Sequence, residues 1–173
     1  MVENLLSITK LDGGNVKIIK TETMLDELID SVLVNFKKRY PEQTVEVDIP
    51  EEFVLIPMDA LLVEQVLINI LENAVQHAEG MTRLSLKVFT ISGKAVFEIK
   101  DNGKGIEEGK LKNVFNGIYT DATDTNRTNS GIGLSVCASI IRAHGGEIKA
   151  ENSKDGGAVL RFTLNMEEEE NAK

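Results

Sequence analysis

Residues 94–106 read KAVFEIKDNGKGI, a short strand that runs directly into the turn Asp101-Asn102-Gly103-Lys104-Gly105-Ile106. A carboxylate at a strand end is placed to accept a hydrogen bond from an exocyclic amine such as that of adenine. Gly103 and Gly105 let the backbone turn sharply and approach a flat ring closely. An ordinary Asp-Asn-Gly turn uses the same residues, so this stretch gains meaning only from what flanks it.

Upstream, a strand near 82–91 joins it through Ser92-Gly93, and a long helix is predicted before that, from about Asp59 to Ala78. The apolar stripe of this helix holds Val63, Leu67, Ile70, Leu71, Ala74 and Ala78. Asn69 and Asn73 stand four apart and share a face beside it. Asn is a poor helix former, and an amide oxygen is a hard, neutral ligand suited to Mg²⁺, which keeps waters and substrate phosphates as its other ligands. Two exposed polar residues would show the same spacing. His77 adjoins the Asn face, within reach of a phosphate.

Downstream, residues 101–130 are rich in Gly, Asn, Asp and Thr, too long for an idle loop in a compact domain. Gly131-Ile132-Gly133-Leu134 then opens a helix at about 131–144 that stops at Gly145-Gly146. Glycines at a helix start expose N–H groups where the dipole favours phosphate, although a flexible helix start needs them too. Val136 stands where a dinucleotide-binding fingerprint has its third glycine, and no Gly-Lys pair is followed by Ser or Thr as in a P-loop. Glu108 likewise breaks the protein-kinase glycine pattern. His144 precedes Gly145 as a helix C-terminal cap or dipole partner.

The remaining chain supplies the other layers. A strand is expected at 15–20 and a helix from Met24 to Arg39, capped by Thr21 or Thr23, with Leu25, Leu28, Ile29, Val32 and Phe36 buried. Strands follow at 44–49, half-buried, and at 53–56, and two more near 147–152 and 157–165. Helices and strands mix without strict βαβ alternation. The expected class is α/β: a two-layer sandwich with a mixed sheet and helices on one face.

Composition limits the function classes. A chain of 173 residues with 42% hydrophobic content suits one compact domain. The net charge is −9; residues 167–173 (four Glu against Lys173) sum to −3 and leave −6 for the rest. No Lys/Arg stripe suits nucleic acid, and no apolar run approaches the ~18 residues of a membrane helix. The lone Cys137 cannot form an internal disulfide, which makes a reducing cytoplasm the default. Neither histidine has neighbours spaced for zinc.

Taken in order, the helical Asn pair, the Asp-x-Gly-x-Gly turn, the long polar loop and the Gly-x-Gly helix resemble the catalytic domain of sensor histidine kinases. These belong to the superfamily shared with gyrase, the heat-shock chaperone and mismatch-repair ATPases. QVLINILENAVQHA at 65–78 is similar to the family's N box, DNGKGI at 101–106 to its G1 box, and SGIGLSVCASIIRAHGGEI at 130–148 to its G2 box and the following helix and strand. The resemblance covers about residues 20–166, and Val47 to Ala78 most resembles the potassium-responsive sensor kinases.

The resemblance implies ATP and Mg²⁺ as ligands. Asn69 and Asn73 would be the catalytic pair, with Asn73 the metal ligand. Asp101 would bind the adenine amino group, Gly103, Gly105 and Ile106 would form the adenine pocket, and Gly131, Gly133 and Leu134 would face the phosphates from the helix start. Thr163 would reach adenine through water. Residues 107–130 would be a lid anchored by Val114 and Phe115. The implied organisation is the end of a dimerisation helix and linker at 1–14, the ATP-binding domain at 15–166 and an acidic tail at 167–173. Neither His77 nor His144 has the acidic and Pro neighbours of a phosphoacceptor. The chain is therefore expected to pass the γ-phosphoryl of ATP to a histidine on a separate dimerisation domain, and through it to serve a response regulator. The expected location is cytoplasmic, with a membrane-anchored parent protein. Gln76 departs from the Lys or Arg of many members; His77 or Arg127 are the candidates to replace it. A regulatory nucleotide-binding module, or a Ser-directed anti-sigma-type module of the same fold, is the alternative.

Overall fold

A computed structural model of the protein describes residues 17–77, 80–111, 114–115 and 133–166. The expected helix end at 1–14, Arg127, Gly131 and the acidic tail lie outside the described residues. The described elements are β1 (Thr21–Met24), α1 (Leu25–Arg39), β2 (Glu46–Asp48), β3 (Leu55–Met58), α2 (Ala60–His77), β4 (Leu84–Ile91), β5 (Lys94–Asp101), α3 (Glu108–Leu111), α4 (Gly133–Ala143), β6 (Ile148–Asn152) and β7 (Ala158–Asn165).

Five strands form one sheet in the order β2-β4-β5-β7-β6, and β1 pairs with β3 in a separate two-stranded sheet. The β2–β4 pair is parallel and the other ladders of the large sheet are antiparallel. This is the expected mixed sheet. The two-residue period of a strand decides its faces. Ala95, Phe97 and Ile99 of β5 and Leu160, Phe162 and Leu164 of β7 are buried in one core with the helices. Phe97 and Phe162 stack across the ladder with ring centroids 4.7 Å apart. The alternate residues carry charge: Arg161 of β7 bonds Glu98 of β5 at 2.8 Å and Glu151 of β6 at 3.0 Å.

α2 is central in the helical layer. Its stripe from Leu62 to Ala74 is buried, and it is fastened to α1 by Glu64, which accepts from Ser31 Oγ at 2.6 Å and Asn35 Nδ2 at 2.7 Å.

Three expectations are corrected. The first described strand is Thr21–Met24, and residues 17–20 of the expected 15–20 are not in a strand, because the partner β3 sets the register: Thr21 stands opposite Met58 and Met24 opposite Leu55. The N-cap of α1 is Met24, without a side-chain cap; the leading N–H, that of Leu25, donates to Val54 O of the neighbouring strand segment instead. β2 is shorter than the expected 44–49; it is an edge strand, exposed over Glu46–Asp48, and Val45 and Ile49 on either side of it supply the half-buried contact with the core.

Candidate functional site

The inward row of β5 ends in a polar residue. Ala95, Phe97 and Ile99 are buried, and two residues on Asp101 takes the next inward position, 6% exposed. A carboxylate is thereby placed at the rim of an apolar layer. Its Oδ1 accepts from Gly103 N at 2.9 Å and from Ala158 N at 3.3 Å. Among the described residues nothing donates to Oδ2.

Asp101 opens onto a cavity between the two layers. α2 contributes Ile70, Asn73, Ala74 and His77; β5 contributes Ile99 and Asp101; β7 contributes Ala158 and Leu160. Lys104, Gly105, Ile106, Glu107, Lys110, Val114 and Leu134 complete the lining. Residues 70, 73, 74 and 77 follow the i, i+3, i+4, i+7 spacing of one helix face. The Asn73 amide makes no hydrogen bond among the described residues, and so faces the cavity with its oxygen and nitrogen available.

The two asparagines of α2 have different surroundings. Asn69 does not line the cavity. Its Oδ1 accepts from Gln65 Nε2 at 3.2 Å and its Nδ2 approaches Cys137 Sγ of α4 at 4.0 Å. Cys137 in turn lies 3.9 Å from Val66 O, and burial pushes its thiol up to about 12. Asn69 takes part in the α2–α4 contact, outside the described lining of the cavity.

Thr163 likewise stands apart from the described cavity. It shares the face of Arg161, not that of Leu160 and Phe162, and its Oγ1 accepts from Glu147 N at 3.2 Å. It stands five residues beyond Ala158, about 16 Å along an extended strand. Ala158 is the β7 residue at the cavity. Gly157, just before it, has φ +88°, and a Cβ there would collide with the Asp101 carbonyl. No local sequence pattern records this close approach.

Other expected residues come together. Gly105, Ile106, Val114, His77 and Leu134 line the cavity, and Gly133 opens α4 immediately before Leu134. Gly103 binds Asp101 through its N–H, and Phe115 is half-buried against the core. Gln76 turns away, its Nε2 donating to Tyr40 Oη at 3.2 Å. The basic groups on the cavity wall are His77, Lys104 and Lys110; the two lysines carried no role in the sequence reading.

Comparison with known proteins matches residues 58–168 to the family of histidine kinase-, DNA gyrase B-, and HSP90-like ATPases. The chain belongs to this family. Sensor protein KdpD of Clostridium acetobutylicum is 37% identical over 96% of the chain, and the chain spans 19% of that relative's length. The solved catalytic domain of histidine kinase ThkA, nucleotide-free, is 27% identical with a TM-score of 0.73, covering 86% of this chain and 97% of that one. ThkA in complex with the response regulator protein TrrA shares the fold at a TM-score of 0.73 and 24% identity, covering 96% of this chain and 47% of that one. Fold and relatives agree on an ATP-binding catalytic domain of the sensor histidine kinase type, in which the cavity at Asp101 lies between α2 and the turn that follows β5. No helix among the described residues is long and apolar enough to cross a membrane.

Proposed function

We propose that this domain binds ATP in the cavity between α2 and β5 and presents the γ-phosphoryl group to a histidine on a dimerisation domain. The observation that carries this is the Asp101 carboxylate. One oxygen is fixed by Gly103 N and Ala158 N, and the other is without a donor among the described residues. A purine amino group supplies that donor, with Ile106 and Gly105 against the ring.

Asn73, on the opposite wall, offers an amide oxygen suited to Mg²⁺. Among the described residues no group of three His, Cys, Asp or Glu is placed to hold a metal. An ion held there would take phosphates and waters as its other ligands. Held by Asn73, such an ion would supply charge neutralisation on the phosphates. Lys104 and Lys110 add positive charge on the wall beside His77, in place of the cation that Gln76 does not supply. The protein's part is positioning and electrostatics; the nucleophile is the acceptor imidazole. His144 is buried, 2% exposed, so it is no acceptor. Residues 1–14 fit the end of the dimerisation helix that would lead into this domain, in a membrane-anchored parent that serves a response regulator.

The test is calorimetric titration with ATP, with and without Mg²⁺, on the wild type and Asp101→Asn. A charge-assisted hydrogen bond is worth about 1.5–3 kcal/mol, so the variant should bind more than about tenfold more weakly. Equal affinity would remove Asp101 from the site. Adding a histidine-bearing dimerisation domain with labelled ATP should give acid-labile phosphate. Acid-stable phosphate would indicate a Ser-directed kinase instead, and binding without transfer a regulatory module.

A further inference from the structure

The G1 turn is held from the side by a residue of another element. Asn152, the last residue of β6, accepts from Ile106 N at 2.8 Å through Oδ1 and donates to Ile106 O at 2.7 Å through Nδ2. One side-chain amide thus serves both polar groups of a backbone residue, as a neighbouring strand would. Gly105 approaches this clamp with φ +82°, and a Cβ there would lie 2.7 Å from Asn152 Oδ1. The bend between β6 and β7 continues the enclosure. Ser153 N donates to Gly157 O at 2.9 Å, and Ala158 N donates to Asp101 Oδ1. Both ends of the turn, Asp101 and Ile106, are therefore tied to one hairpin.

We propose that Asn152 is a positioning residue for the nucleotide base: by clamping Ile106 it fixes the Gly105–Ile106 wall at a set distance from Asp101, so that the purine slot is formed before the ligand arrives. The proposal rests on the ATP reading of the cavity. Its physical basis is preorganisation. A loop ordered only on binding subtracts its ordering cost from the affinity. The clamp touches the base end of the site, away from Asn73. Its loss should weaken ATP and ADP equally and leave the Mg²⁺ dependence untouched.

Two variants of the whole chain test this, Asn152→Ala and Asn152→Asp, by calorimetry with ATP and ADP, thermal unfolding and amide exchange at Ile106. Asn152→Ala should bind both nucleotides about five- to tenfold more weakly, with the same ratio of affinities with and without Mg²⁺ and with faster exchange at Ile106. Asn152→Asp nearly keeps the size of the side chain and still accepts from Ile106 N–H, but at pH 7 it sets a carboxylate against the Ile106 carbonyl. It should bind no better than Asn152→Ala. Wild-type affinity in both variants overturns the proposal. So does a lowered unfolding temperature with unchanged affinity, since the clamp would then serve stability alone. Absence of nucleotide binding by the wild type would overturn the ATP reading itself, and the proposal with it.

Discussion

Asn69 and Asn73 are one residue type, one helical turn apart, and of the two Asn73 lines the described cavity. The difference is made by α4, which brings Cys137 against Asn69 and leaves Asn73 at the cavity. Asn73→Ala should therefore lower ATP affinity measured with Mg²⁺ more than affinity measured without it. An unchanged ratio in calorimetry would take Asn73 out of the metal site. Asn69→Ala should instead cost stability, about 1 kcal/mol for its polar contacts, read by urea unfolding, with nucleotide affinity kept. Spacing along α2 revealed that the two share a helix side but not which neighbour each meets, because that neighbour lies 68 residues away in the chain. Asp101 was legible for the opposite reason: its strand, its turn and its two glycines are contiguous. The place of Thr163 was not legible, because it follows from the start of β7. Gly157 fixes where that strand begins, by an approach to Asp101 that no local pattern records, and with it the parity that turns Thr163 away.

The elements are joined by a few polar ties, and one of them titrates. His144, at the end of α4, places Nδ1 2.8 Å from Ile140 O and accepts at Nε2 from Asp59 N, 3.0 Å away at the start of α2. This pairing requires the neutral ring with its proton on Nδ1. Burial holds the His144 pKa below its ordinary 6.5, against the raising influence of the Ile140 carbonyl and of Asp59. The folded state thus binds fewer protons than the unfolded chain below that pH. The contribution of His144 to stability is fully present above about pH 6.5 and falls as the pH drops below it. The wild type should lose unfolding free energy between pH 7 and pH 5.5 more steeply than His144→Gln, in paired urea titrations. All other groups are common to both proteins, so the difference isolates His144; parallel slopes would mean that the ring accepts a proton in place. The helices were the most legible elements, since apolar periodicity over fifteen or more residues marked α1 and α2. The short strands were less so. β1 was expected a few residues too early because NVKIIK is the more apolar stretch, whereas pairing with β3 selects TETM.

At the scale of the molecule, the cavity lies between the sheet and the helical layer, with walls from α2 on one side and from β5 and β7 on the other. A ligand held at both Asp101 and Asn73 bridges the two layers, and it can do so only in the folded chain. Its effect on stability is then set by mass action: at a free concentration one hundred times Kd, a ligand that binds only the native state adds about 2.7 kcal/mol. For a domain of this size 1 kcal/mol moves Tm by about 2–4 °C, so saturating ATP with Mg²⁺ should raise Tm by about 5–10 °C. The chain's charge of −9 opposes an anionic ligand in general, which makes non-specific stabilisation by nucleotide a poor alternative and base recognition the main source of the gain. Asp101→Asn, melted at the same ATP concentration, should therefore lose most of the increment, while inorganic triphosphate with Mg²⁺ should give little of it to the wild type. An equal shift in wild type and variant, read by differential scanning calorimetry, would mean that the stabilising contacts lie on the phosphates and that the layers are bridged without Asp101.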